Sequence, residues 1–137
     1  MKSKDFLTIK DIIPREFIKL IQSAKDMKDH QTPQLLTGKT AALIFEKPSL
    51  RTRVSFEVGI KQMGGTSIFL SNNEIGLGIR EPVSDVAMVL DRLVDVIIAR
   101  VYSHQSLIEL SNHTSIPVIN ALSDIAHPCQ ALGDCLT

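Results

Sequence analysis

The feature that most constrains this chain is a repeated switch between two apolar periodicities. Short, largely apolar runs at Thr40–Phe45, 66–70, 95–101 and 117–122 alternate with longer segments whose apolar residues recur three and four positions apart. A strand apolar at consecutive positions must bury both of its faces, and the amphipathic segments between such strands are the cover. That pattern predicts an α/β fold: a four-stranded parallel sheet with helices on both faces and right-handed crossovers between strands. Open sheets of this kind bind ligands beyond the carboxyl ends of their strands. Three places therefore draw attention, after Phe45, after Ile98 and after Leu122.

The helical segments have readable ends. Pro14 suits a first helical turn, where its missing N–H costs nothing, and Phe17, Ile18, Ile21, Ala24 and Lys25 form a stripe running to about residue 28. Residues 51–63 predict a helix closed by Gly64 and Gly65. The stretch 71–81, with Asn72, Asn73, Gly76 and Gly78, reads as a loop. Pro82 opens a helix whose inward stripe is Val83, Val86, Ala87, Leu90, Leu93 and Val94. Ser103 is placed to cap a helix reaching about residue 112. A last helix starts at Pro128 and meets no Gly or Asn stop before Thr137.

Composition removes several function classes. A length of 137 residues suits one domain, and 44% hydrophobic residues suffice for a core without disulfide staples. Lys+Arg and Asp+Glu are 15 each, without the basic excess of a nucleic-acid surface. No apolar run has the length of a membrane span, and Met1 to Asp11 lacks a signal-peptide core, so the expected location is cytoplasmic. Cys129 and Cys135 are expected as reduced thiols. His127 and Cys129 lie close, but no third or fourth ligand stands at a metal-binding spacing, and neither metal nor cofactor is expected.

Three groups of residues carry chemistry. Glu46-Lys47-Pro48-Ser49-Leu50-Arg51-Thr52-Arg53 follows a strand and opens a helix. The unpaired N–H groups of a helix start favour an anion, Ser49 and Thr52 add hydroxyls, and Arg51 adds a planar fork matched to phosphate. The sequence is not a Walker loop. The competing reading makes Ser49 an N-cap, with Arg51 and Arg53 on a solvated face and Arg53 paired to Glu57. Arg53 is assigned to that structural role. Arg100, at the end of an apolar strand, either reaches solvent or points into the ligand crevice. His127 precedes a helix and Gln130 lies one turn in, so the two can converge on a carbonyl and an NH2 group. Alternatively, His127 only caps the helix.

The order of these groups is more telling than any one of them. Ser49-Leu50-Arg51-Thr52-Arg53, then Arg100, then His127-Pro128-Cys129-Gln130 resembles the aspartate and ornithine transcarbamoylases, whose SxRTR and HPxQ signatures bind carbamoyl phosphate. The likeness extends to Phe45-Glu46-Lys47, Ser55-Phe56-Glu57, Leu77-Gly78, the run from Asp85 to Leu90 and the run from Pro117 to Asp124. The Phe-Glu-Lys lead-in and Ile98-Ala99-Arg100-Val101 look like the ornithine branch. The resemblance implies that Ser49, the Leu50 backbone, Arg51, Thr52 and Arg100 hold the phosphate. It implies that Thr52, Arg100 and His127 donate to the carbamoyl oxygen and that Gln130 accepts from the carbamoyl NH2. The implied reaction is acyl transfer to ornithine, giving citrulline and phosphate within arginine biosynthesis, by a homotrimer with shared sites. Aspartate or putrescine as acceptor, and a binding-only carbamoyl-phosphate module, are the alternatives.

The resemblance further implies that residues 1–137 are the carbamoyl-phosphate-binding domain and that an amino-acid-binding domain is absent from this chain. One position departs from the family pattern. Where relatives place a polar side chain that reaches a neighbouring subunit's site, two residues before the glycine of the Leu-Gly pair, this chain has Gly76.

Overall fold

The four apolar runs pair as the periodicity requires. In a computed structural model describing residues 3–137, β1 (Thr40–Phe45), β2 (Thr66–Ser71), β3 (Val96–Arg100) and β4 (Val118–Leu122) form one all-parallel sheet of order β2-β1-β3-β4. The helices are α1 (Pro14–Asp29), α2 (Arg51–Gln62), the single turn α3 (Asn72–Ile75), α4 (Val83–Leu93), α5 (His104–Asn112) and α6 (Pro128–Leu136).

Strand order and crossover handedness together decide which face each helix covers. The chain leaves β1 for β2 in one direction, then returns past β1 to β3 and on to β4 in the other. With right-handed crossovers, that reversal puts α2 on one face and α4 and α5 on the opposite face. The two cores obey this. Ala42, Ile44, Ile97 and Ala99 pack with Val86, Ala87 and Leu90 of α4 and Leu107 and Leu110 of α5. Ala41, Leu43, Phe45 and Ile98 pack with Ile60 and Phe56 of α2. The sheet thus alternates its side chains between two apolar layers, as a pleat dictates. The reversal falls between β1 and β3, so the crevice at the switch point opens beyond Phe45 and Arg100.

The two sheet edges are treated differently. Along β4, Phe6 forms a parallel bridge to Ile119, with Phe6 N–H donating to Val118 O at 2.9 Å and Asn120 N–H to Phe6 O at 2.9 Å. Buried Asp5 anchors this strap, accepting from Val118 N–H at 2.8 Å and from the Ser111 hydroxyl at 2.6 Å. The outer edge of β2 has no such cover among the described residues.

Three sequence expectations are corrected. Residues 71–81 are not all loop, since Asn72–Ile75 closes one helical turn. Its end is Gly76 at φ +54°, a left-handed cap that an L side chain adopts at a cost. In α1, Phe17, Ile21 and Ala24 are half-buried as expected, but Ile18 is exposed and Lys25 is exposed with it, because the helix leans on α6 through a narrower stripe. In α4, Leu93 points outward, and Val94, just past the helix end, is buried in its place. The Ser103 cap is as expected, its hydroxyl accepting from Gln105 N–H at 3.3 Å.

Candidate anion and carbonyl site at the strand ends

The loop after β1 is tied across the switch point to the loop after β3. Glu46 N–H donates to Arg100 O at 2.9 Å, and the Glu46 carboxylate accepts from Tyr102 N–H at 2.7 Å. Lys47 sits 5.0 Å above the Tyr102 ring, a cation–π contact. These ties bring the chain into α2 with its N-terminus at the crevice. The first bond at the helix start runs from Val54 N–H to Leu50 O at 3.0 Å. The N–H groups ahead of Val54 therefore have no acceptor within the helix.

Ser49 does not cap α2. Leu50 occupies the cap position in helical geometry, and no side chain bonds the first turn there. Ser49 instead lines a cavity of about 390 Å³ with Lys47, Arg53, Phe69 and Asn72. The Leu50 side chain is exposed on the outer flank of α2. Arg53 is held as expected from its spacing: its Nε donates to Glu57 Oε1 at 3.2 Å. Its guanidinium also lies 3.4 Å above the centroid of the Phe69 ring, a contact that sequence spacing did not reveal.

Arg100 reaches across the crevice rather than into solvent. One of its terminal nitrogens donates to Thr52 Oγ1 at 3.3 Å, while Nε is buried without a partner among the described residues. Arg51, Thr52, His127 and Gln130 line a single cleft of about 250 Å³ with Phe56 and Cys129. The convergence of 49–53, 100 and 127–130 is thus partial: four residues share this cleft, Arg100 joins through Thr52, Ser49 opens on the adjacent cavity, and Leu50 lines a separate groove on the outer flank of α2.

His127 holds the N-cap position of α6 but makes no side-chain cap bond, which removes capping as its hydrogen-bonding role. Its Nδ1 is buried and unpartnered. Burial, reinforced by the positive charge of Arg100 and opposed by Asp134, holds the imidazole below its ordinary pKa of 6.5. The ring is therefore neutral at pH 7, with one N–H to donate. Gln130 is exposed, its amide N–H donating to Asp134 Oδ1 at 2.8 Å, which leaves its carbonyl oxygen as an acceptor. The Cys129 thiol is pushed up to about 11 by burial and donates to Asn120 O at 3.4 Å, so it is not a nucleophile at neutral pH. No group of three metal-ligating side chains occurs among the described residues.

Chemically the cleft offers the Arg51 guanidinium, the Thr52 hydroxyl bonded to Arg100 and a free helix start for an anion, beside a neutral imidazole and a carboxamide for a small planar amide. The sequence reading missed the Glu46 and Tyr102 ties and the buried carboxamide of Asn120. The last had a signal: a lone amide in an apolar strand.

Comparison with known proteins gives one consistent answer. The family described as "Aspartate/ornithine carbamoyltransferase, carbamoyl-P binding domain" matches residues 4–137. An ornithine carbamoyltransferase from Halalkalibacterium halodurans is 48% identical over all of this chain and 44% of its own length. The solved ornithine carbamoyltransferase of Pyrococcus furiosus superposes with a TM-score of 0.94 at 43% identity, over 98% of this chain and 45% of that one. The anabolic enzyme of Campylobacter jejuni gives a TM-score of 0.92 at 43% identity, over 99% of this chain and 44% of that one. The chain thus spans less than half the length of the relatives it matches.

Proposed function

The chain belongs to the aspartate/ornithine carbamoyltransferase family as its carbamoyl-phosphate-binding domain, and from that premise we propose that it is the carbamoyl-phosphate grip of an ornithine carbamoyltransferase. The observation that carries the reading is the single cleft where Arg51, Thr52, His127 and Gln130 meet, with Arg100 bonded to Thr52.

In this reading the α2 start, Ser49, Arg51, Thr52 and Arg100 take the phosphate. Thr52, Arg100 and neutral His127 donate to the carbamoyl oxygen, and the Gln130 carbonyl accepts from the NH2. A neutral amine attacks the carbamoyl carbon, the carbon–oxygen bond to phosphate breaks, and the amine's proton is released. Charge develops on the carbamoyl oxygen and on the departing phosphate, where preoriented donors act as in an oxyanion hole. Neutrality suits His127 to this task, because the ring adds a donor without withdrawing the phosphate from Arg51 and Arg100. The chemistry calls for no metal or cofactor.

The acceptor in the whole protein is ornithine, the product citrulline, and the context arginine biosynthesis. The relatives' names support this choice over aspartate. We place the protein in the cytoplasm and assign it a homotrimeric assembly through this domain. No helix among the described residues is long and apolar enough to cross a membrane. The exposed Leu50, Val54 and Val58 on the outer flank of α2 support contact between copies. Titrating the chain with carbamoyl phosphate while following backbone amide shifts tests the grip. Saturable shifts at residues 50–53, 100 and 127–130 are expected. Shifts confined elsewhere, or none at millimolar ligand, reject it.

A further inference from the structure

Among the described residues, no side-chain cap bond and no partner at Nδ1 holds the His127 ring in place. The His127 backbone, at φ −134° and ψ 74°, lies outside the helical region. Something else must fix the peptide that presents it.

Asn120 is the polar residue of β4, and it is wholly buried, at 0% exposure. Its Nδ2 donates to Leu7 O at 2.8 Å on one side, and on the other to Ala126 O at 3.0 Å with a longer contact to Ser123 Oγ at 3.4 Å. The second acceptor is the carbonyl of the 126–127 peptide, the plane from which His127 departs. The same carbonyl accepts from Ser123 N–H at 3.0 Å, and Ser123 Oγ accepts from Ala126 N–H at 3.2 Å. The turn is fixed from outside as well, by Asp124 accepting from His104 N–H at 2.7 Å and by His104 Nδ1 at 2.8 Å from Ser123 Oγ. Within this set, Asn120 alone joins the turn to the sheet and to the strap at Leu7 by one side chain.

The chemistry of the position argues that the amide is there for its donors. Its Oδ1 is buried with no partner among the described residues, an arrangement that disfavours Asn on stability grounds. An apolar residue of similar size would remove that orphan but leave the Leu7 and Ala126 carbonyls without this donor. An aspartate would set a carboxylate against both carbonyls. We infer that Asn120 is a positioning residue for His127, clamping the 126–127 peptide so that the imidazole faces the cleft. The inference rests on the carbamoyl-phosphate reading of that cleft and adds to it a residue that touches no ligand.

The test compares wild type with Asn120→Ala in the 137-residue chain, each first shown to be folded by its amide spectrum. Without the clamp the imidazole is less confined, so its 15N and 13C ring signals shift and its titration moves up toward the ordinary value. Inorganic phosphate affinity should stay within about twofold, while carbamoyl phosphate weakens by about tenfold, the equivalent of one lost hydrogen bond. Unchanged ring signals in a folded variant, or equal losses for both ligands, would overturn the inference. A second measurement covers a variant that fails to fold. In wild type, the Asn120 side-chain amide protons should exchange slowly and shift with carbamoyl phosphate but not with phosphate; fast exchange or identical responses to the two would sink it. Failure of wild type to bind carbamoyl phosphate would instead reject the reading of the cleft, while the ligand-free ring signals still decide the clamp.

Discussion

Two arginines two positions apart in the sequence have different surroundings. Arg53 is committed to Glu57 and to the Phe69 ring, whereas Arg51 is exposed and lines the cleft. Arg51→Ala should weaken carbamoyl phosphate by roughly 2 kcal/mol, the scale of a charge-assisted hydrogen bond. Arg53→Ala should change that affinity by no more than about twofold and act on stability instead, by up to about 1 kcal/mol. Calorimetric titration and denaturant melts of both variants separate the two roles; equal losses of affinity would erase the distinction. His127 makes a pH prediction. Its folded pKa is lowered, so between that value and 6.5 the unfolded chain binds more protons. Its contribution to stability is therefore present above pH 6.5 and is lost as pH falls toward the folded pKa. The unfolding midpoint of wild type should drop over that window, and His127→Gln should lack that part of the drop. A steeper decline in the variant would contradict the sign.

At the scale of elements, what could be read from the sequence was the identity and order of the strands and long helices, because consecutive apolar residues and the three-and-four stripe survive any packing arrangement. What could not be read was the rim. The one-turn helix Asn72–Ile75 carries no periodicity, and its stop at Gly76 is visible only as backbone geometry. What the fold asks of position 76 is local. At φ +54° an added Cβ would lie 2.6 Å from Arg80 Cβ. Gly76→Ala should thus destabilise by about 1 to 2 kcal/mol from the left-handed conformation, with the contact adding to it. Chemical denaturation measures this directly, and an alanine variant as stable as wild type would show that the turn rearranges freely. In the site, residues 49–53 were legible as one group because they form a contiguous segment on a strand-to-helix turn. The residue at the cap position was not legible, because the choice between Ser49 and Leu50 turns on backbone angles.

At the scale of the whole molecule, assembly and turnover can each be measured. If the outer flank of α2 and the open β2 edge meet other copies, sedimentation velocity should show a species three times the 15.1 kDa of the chain. A single 15.1 kDa species at all concentrations would remove the trimer. The chain covers 44% of the length of its Halalkalibacterium relative, and the carbamoyl transfer proposed here is an activity of the whole protein. Transfer requires the amine in near-attack geometry, to which positioning contributes roughly 7 to 11 kcal/mol. The domain alone should therefore bind carbamoyl phosphate yet form citrulline far more slowly than a full-length relative assayed beside it. Equal turnover would mean that the domain holds a complete active site.

By itself the sequence indicated a parallel sheet covered by helices, because that arrangement buries both faces of β1 and β3 and the apolar stripe of α4, whereas the half-exposed Ile68 on the β2 edge was not legible from the apolar run. It also determined which polar residues stand at strand ends, and the ordered motifs there were enough to indicate the family. Only the tertiary structure decided how those residues meet. Arg100 and Thr52 are 48 positions apart, and their hydrogen bond exists because strand order reverses between β1 and β3. The neutral state of His127, at the start of α6, likewise depends on burial and on the charge of Arg100, supplied by β3. Local sequence dictates local periodicity and backbone preference; contact, burial and electrostatic environment are set by segments that only the folded sheet brings together.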